Sequence, residues 1–378
     1  MNRECCHLCG GSLCEEPVIT LKGMPKAAQY YPDEEAFGLD RGIDLVVRQC
    51  LWCGLVQLNV PPVDYFREVI TAASLSGEAR SHRLQEMKAF AEAHGLVGRR
   101  VVEIGCGRGG MLDVMREAGM DPTGLEGSSD AVEEGRRLGR RMVAGYLTEL
   151  DEVPGAPFAG FLCLNYLEHM PDPGEVIRRM AGITTEDAVG FVTVPNLEYL
   201  LQSRCYYEFV ADHLSYFTAS TLSFAFQANG FDVLSCGTIN NDNDLLCVVR
   251  KRRLPELREG ESEVETLKKT LRQLVDRYVA DGKRVAVWGG GHRTLALLAL
   301  AGVDGLTCVV DSAPFKQGKF TPVLHKPIRA PEYLKSGEID LVLVMVPGIY
   351  PDEVLRTLAA MQTGCDVAVL RGNRIVFQ

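Results

Sequence analysis

No apolar run in this chain is long enough to cross a bilayer. Met1 to Cys14 carries cysteines and charges where a signal peptide would carry an apolar core. These two absences argue against a membrane-spanning or secreted protein and predict a cytoplasmic one. Positive charge is also short: 40 lysines and arginines against 50 aspartates and glutamates leave a formal net charge of −10. Phosphate backbones are held by basic side chains, so the deficit argues against general nucleic-acid binding and leaves only a local basic pocket for a nucleotide diphosphate. Without a secretory signal, the 13 cysteines read as metal ligands or buried thiols in preference to disulfides. What is present is a globular composition, 46% hydrophobic over 378 residues, too long for one ordinary core and suited to two or three domains.

The chain is organised around Val101 to Leu112, where a β-rich run (Val101, Val102, Ile104) meets Gly105, Gly107, Gly109 and Gly110 and then a helical pattern through Met111, Leu112 and Met115. Glycines allow close approach of a ligand to the backbone, and the free N–H groups of the following helix favour an anionic group. Gly105, Cys106, Gly107 and Gly110 satisfy G-x-G-x-x-G, and Glu126 lies about 20 residues on, where a ribose-binding carboxylate belongs. That much fits a dinucleotide. Glu103, an acid inside the strand end, turns the motif into E-x-G-x-G-x-G.

Cys6 and Cys9 form one C-x-x-C pair and Cys50 and Cys53 a second roughly forty residues later, each followed by a glycine, Gly10 and Gly54. Two such knuckles supply the four thiolates of a closed structural zinc site, with Cys5, His7 and Cys14 as neighbouring alternates. A fully occupied ion leaves no position for substrate, so the site serves folding.

Beyond the glycine loop, helix and strand patterns alternate as in a doubly wound parallel sheet: Asp130 to Leu138 helical, Phe158 to Leu164 a buried strand, Asp172 to Met180 helical, Val189 to Val194 a strand. Asn165 to Pro173 sits at the carboxyl end of the second of these, the edge where open α/β sheets bind ligands. Glu168 and His169 in it read as parts of a turn made rigid by Pro171 and Pro173. Further on, Asp212-His213 pairs a histidine with a carboxylate able to orient it, as a general base requires; the plainer alternative is a capping turn with a buried histidine. After a basic run at Arg250 to Arg253, a charge-rich linker leads to a helical pattern from Val264 to Tyr278 and then a second strand and glycine loop, Arg284 to Arg293. Thr294 stands at that loop's third fingerprint position, which speaks against a second dinucleotide. His292, Arg293 and Lys316 are either contacts to a nucleotide diphosphate or plain surface residues.

The Glu103 to Gly109 motif resembles the class I S-adenosylmethionine (SAM) methyltransferases. The cysteine pairs with Cys53-Gly54-Leu55-Val56-Gln57, the segment His213-Leu214-Ser215-Tyr216-Phe217 and the run from Asp311 to Lys316-Gln317-Gly318 resemble the nucleotide-sugar C-methyltransferases, over nearly the whole chain. This resemblance implies an α/β protein: a zinc-binding domain over 1–77, a class I SAM methyltransferase domain with a doubly wound, mostly parallel sheet over 78–255, and a Rossmann-like α/β domain over 256–378. It implies SAM and a structural Zn2+ as cofactors, with Glu103, Gly105, Cys106, Gly107, Glu126, Asn165 and Leu167 around SAM and Cys6, Cys9, Cys50 and Cys53 on zinc. It also implies His213 as the base, Asp212 as its orienter and Tyr216 beside them, removing a proton next to a ketone of a nucleotide-linked keto-deoxysugar so that the enolate attacks the methyl group. The chain departs from the family at Val210 and near Thr71, where tyrosines are usual. Because a carbon acceptor needs its enolate oxygen held, the loss keeps open an O- or N-methyltransferase acting on a sugar or other natural-product intermediate. An NAD-dependent oxidoreductase is the reading from a different class, and a monomer or homodimer acting on a small molecule, without nucleic acid or membrane, is the expected assembly.

Overall fold

Short β-branched and aromatic runs that alternate with helical stretches form a sheet covered on both faces. The computed structural model describes residues 5–26, 31–63 and 77–378, and its contacts divide into two compact units, Met1–Leu254 and Pro255–Gln378. Among the described residues no helix is long and apolar enough to cross a membrane.

The first unit is built on seven strands: β1 (Arg100–Ile104), β2 (Asp121–Glu126), β3 (Met142–Ala144), β4 (Phe158–Leu164), β5 (Thr184–Pro195), β6 (Phe231–Ile239) and β7 (Asp244–Lys251). Their order across the sheet is β3-β2-β1-β4-β5-β7-β6. The first five run parallel, whereas β7 is antiparallel to both β5 and β6. The chain moves outward from β1 to β3 and then restarts at β4, so the β1–β4 boundary is the switch point at which such sheets open a crevice beyond their carboxyl ends. This order, with one reversed strand, is the class I SAM methyltransferase fold expected from the sequence.

Strand β4 is buried along nearly its whole length because helices cover both sheet faces. On one face Met87, Phe90, Leu112 and Met115 pack on Val101 and Leu162. On the other, Ile177, Met180, Leu222 and Phe226 pack on Phe161, Cys163 and Val192. Helix starts are marked by side-chain caps: Ser128 accepts from the amide of Ala131, and Asp172 from that of Glu175.

The N-terminal segment forms a small antiparallel sheet of Ile19–Met24, Ile43–Gln49 and Val56–Leu58, to which Ser215–Tyr216 adds a fourth strand. Its Leu8 and Leu55 belong to the same core cluster as Phe217 and Leu222. A segment near the N-terminus thus backs one far along the chain.

In the second unit, β8 (Val285–Trp288), β9 (Leu306–Val310), β10 (Ile328–Arg329), β11 (Leu341–Val344), β12 (Asp366–Arg371) and β13 (Arg374–Phe377) follow the order β10-β9-β8-β11-β12-β13. All but β13 are parallel, a Rossmann-like arrangement.

Candidate active site

Gly105, Gly107 and Gly109 adopt φ values of 72°, 54° and 81°, a region that L side chains rarely visit. A Cβ at position 105 would also lie 2.2 Å from the Tyr166 ring, so space and backbone both demand glycine there. Glu126, at the end of β2, accepts from the Gly107 amide at 2.7 Å and the Ser128 amide at 2.9 Å, which sets the loop and keeps the half-buried carboxylate at the crevice. Cys106 is buried, with its sulfur against Gly124. Glu103 lies inside β1, 4% exposed, with its Oε2 lacking a hydrogen-bond partner.

Burial, reinforced by the charge of Glu126 and opposed by Arg140, raises the Glu103 carboxyl to about 8. It therefore holds a proton at pH 7 that the unfolded chain has released, and stability falls as pH rises from near 4.5 to near 8. Ligand-free Glu103→Gln should lack this fall, which amounts to about 1.4 kcal/mol per pH unit within that window. Melting temperature against pH, measured for parent and variant, checks the expectation: parallel curves would contradict it.

At the carboxyl end of β4 the chain turns through Asn165, exposed with φ 45°, whose Oδ1 accepts from the Thr193 hydroxyl at 2.6 Å. Leu167, expected beside the cofactor, is fully buried in the ligand-free chain. The 3-10 turn Leu167–His169 directs its side chain inward. The same turn buries Glu168 and His169, and the amide of Leu214 donates to the Glu168 carbonyl at 2.8 Å.

That bond brings the distant Asp212–Tyr216 segment to the turn. Nδ1 of His169 is 2.7 Å from the Asp212 carbonyl, Nε2 of His169 is 3.9 Å from Glu168 Oε1, and the His169 and His213 rings meet edge to face at 4.8 Å. Burial raises Glu168 to about 8 and lowers His169 against the pull of Asp212. Burial, with the His169 charge second, lowers His213 to about 4. His213 is therefore neutral at pH 7 and a weak proton acceptor. Asp212 touches the cluster through its carbonyl and acts on both rings by its charge. The Tyr216 hydroxyl is engaged by the main chain of Val210, receiving its N–H at 2.8 Å and facing its carbonyl at 3.2 Å, which makes it a brace for the segment. Tyr206 and Tyr207 are exposed, and Thr71 lies outside the described residues.

The four cysteines of the paired knuckles converge, with all sulfurs within 4.8 Å of one another. Cys6 and Cys53 are 3.6 Å apart, as are Cys9 and Cys50. Sulfurs about 2.3 Å from one tetrahedral ion stand roughly 3.8 Å apart, so the set fits zinc. Amides of Leu8, Gly11, Trp52 and Cys53 donate to these sulfurs, as thiolate ligands require. The alternates do not enter: Cys5 is exposed, and Cys14 accepts from the Gln49 amide.

In the second unit Asp311 repeats the role of Glu126, accepting from the Gly290 amide at 2.7 Å and pairing with Lys316 at 2.9 Å. Lys316 is thus committed to Asp311, while His292 and Arg293 are exposed. Thr294 is buried and donates to the Met345 carbonyl.

Residues 76–236 match a methyltransferase domain, and residues 252–369 match the C-methyltransferase C-terminal domain. The chain is similar to the C-methyltransferase NovU of Streptomyces niveus, 27% identical over 92% of this chain and 90% of that protein. Similarity to the ubiquinone biosynthesis O-methyltransferase of Bordetella avium, at 33% identity, spans 24% of this chain and only 40% of the relative. Among solved structures it is similar to magnesium protoporphyrin IX methyltransferase from Synechocystis PCC 6803, at 16% identity and a TM-score of 0.40 over 50% of this chain and 97% of that one. Strand order, glycine loop and the two domain matches converge on one conclusion: the chain is a SAM-dependent methyltransferase with a class I catalytic fold.

Proposed function

We propose that this chain methylates a small molecule at a carbon next to a ketone, and that the acceptor is a nucleotide-linked keto-deoxysugar. The observation that carries the reading is similarity to a C-methyltransferase along 92% of the chain, joined to a buried acid and histidine cluster at the same sheet edge as the glycine loop. When bound, SAM supplies an electrophilic methyl group. Glu103, Gly105, Cys106, Gly107, Glu126 and Asn165 would hold it, with Leu167 contributing main chain. Cys6, Cys9, Cys50 and Cys53 would hold a structural zinc ion, whose closed thiolate set leaves no place for substrate.

Activation of the acceptor falls to the cluster of Glu168, His169 and His213. Of the three, His213 is the one open to solvent. Methyl transfer to oxygen is the second reading, favoured by the engaged Tyr216 hydroxyl, since a hydroxyl acceptor needs proton removal and positioning without an enolate to hold.

His213→Ala should lower turnover by about 100-fold or more and leave SAM affinity within about twofold of the parent. Single-turnover assays with labelled SAM and calorimetry measure the two quantities. An unchanged rate would place acceptor activation elsewhere, and the carbon or oxygen position of the label in the product decides between the two acceptors.

A further inference from the structure

We propose that Glu168, His169 and His213 form a second metal site, separate from the four cysteines, that binds a first-row divalent cation through one carboxylate oxygen and two imidazole nitrogens. Their candidate ligand atoms lie within 4.8 Å of one another. Ligands about 2.1 Å from one ion stand roughly 3 to 4 Å apart, so small side-chain rotations close the set.

Two details point to a cation in place of a self-contained hydrogen-bonded cluster. A main-chain carbonyl only accepts, so the 2.7 Å contact from His169 Nδ1 to Asp212 O places the ring proton on Nδ1 and leaves the Nε2 lone pair free. Metal-binding histidines are fixed in this way by an outer partner. Glu168 Oε2 is buried with no hydrogen-bond partner, a costly state for a carboxylate oxygen. Among the described residues no lysine or arginine pairs with Glu168; its recorded ion-pair partner is His169. A cation among the three would satisfy that oxygen and both imidazoles.

Two imidazoles and a carboxylate on one side of an ion leave coordination positions open and suit Mn2+, Fe2+ or Co2+, whereas four thiolates favour softer ions such as Zn2+. The catalytic consequence rests on the methyl-transfer reading above. With the cation in place His213 is a ligand, and the acceptor's ketone oxygen takes an open position. The acceptor C–H bond then breaks toward a solvent hydroxide, which becomes water. The electron pair, shared with the ketone oxygen, forms the new C–C bond as the methyl–sulfur pair stays on sulfur. The ion would thus hold the developing enolate oxygen, a task for which Val210 offers no phenol.

The test uses the full chain, stripped with chelator, reloaded with one equivalent of zinc to fill the cysteines, and titrated with Mn2+ while paramagnetic resonance follows the free ion. The parent should bind one Mn2+ per chain. Glu168→Gln, His169→Ala and His213→Ala should each weaken it by about 30-fold or more with zinc content and circular dichroism unchanged. Because His213 is only partly buried, its variant guards against misfolding of the other two. A parent that takes up no Mn2+, or a His213→Ala variant that binds it as tightly, overturns the site. Methyl transfer at full rate in Mn2+-free and zinc-loaded chain overturns the catalytic role. Tight Mn2+ binding that these variants abolish, in a chain that methylates no ketone, upholds the site and removes the acceptor reading instead.

Discussion

A Cys50→Ser, Cys53→Ser double variant should bind no zinc at the N-terminal cysteines and lose its N-terminal fold and its methyl-transfer activity together. Structural zinc contributes about 10–16 kcal/mol to folding in small peptides, as much as the whole stability of an ordinary domain, and here the consequence travels further. Gln57, fully buried, accepts from the His7 amide at 2.8 Å. Leu58 donates to the Leu214 carbonyl at 3.0 Å, and Val56 pairs with Tyr216. The cysteine module is therefore the wall against which the His213 segment is built. We expect the melting temperature to drop by roughly 10 °C or more, with metal content measured by mass spectrometry and unfolding by calorimetry. A zinc-free variant that melts with the parent and still transfers methyl groups would remove both the structural role and the coupling to the cluster.

The second large effect is expected at Glu126. Its two oxygens organise the glycine loop through the Gly107 and Ser128 amides, and the same carboxylate is the group we propose to accept from the ribose of SAM. Hydrogen bonds to a charged group contribute about 1.5–3 kcal/mol each. Glu126→Gln keeps the shape, removes the charge and leaves only one acceptor oxygen for the two amides, so SAM affinity should fall by about 100-fold and the ligand-free chain should melt a few degrees lower, by roughly 2–8 °C.

Where one local rule decides the outcome, the sequence is enough to read it. Phe158–Leu164 is a strand at the expected bounds, because a short apolar run without polar alternation is a strand buried on both faces. The cysteine knuckles declare themselves by spacing, and the glycine loop by a backbone that only glycine adopts without strain. Thr184–Pro195 begins five residues before the expected Val189, since its polar first turn carries no apolar signal. The acceptor side is less legible for a physical reason. Glu168 and His169 read as a turn, and they are one; what makes them chemical is the arrival of His213, carried by a sheet register that no local pattern encodes. Tyr216 lies beside His213 as expected, its ring 6.1 Å away, but its hydroxyl bonds to Val210 and the burial of Leu167 in the 3-10 turn are set by tertiary contacts that no motif spells out.

We propose that the crevice beyond β1 and β2 binds SAM. Calorimetric titration of the parent and Glu126→Gln chains with SAM, S-adenosylhomocysteine and NAD tests it most directly. The parent should bind SAM and S-adenosylhomocysteine saturably, the variant about 100-fold more weakly, and neither should bind NAD. Tight binding of NAD by the parent without binding of SAM would contradict it.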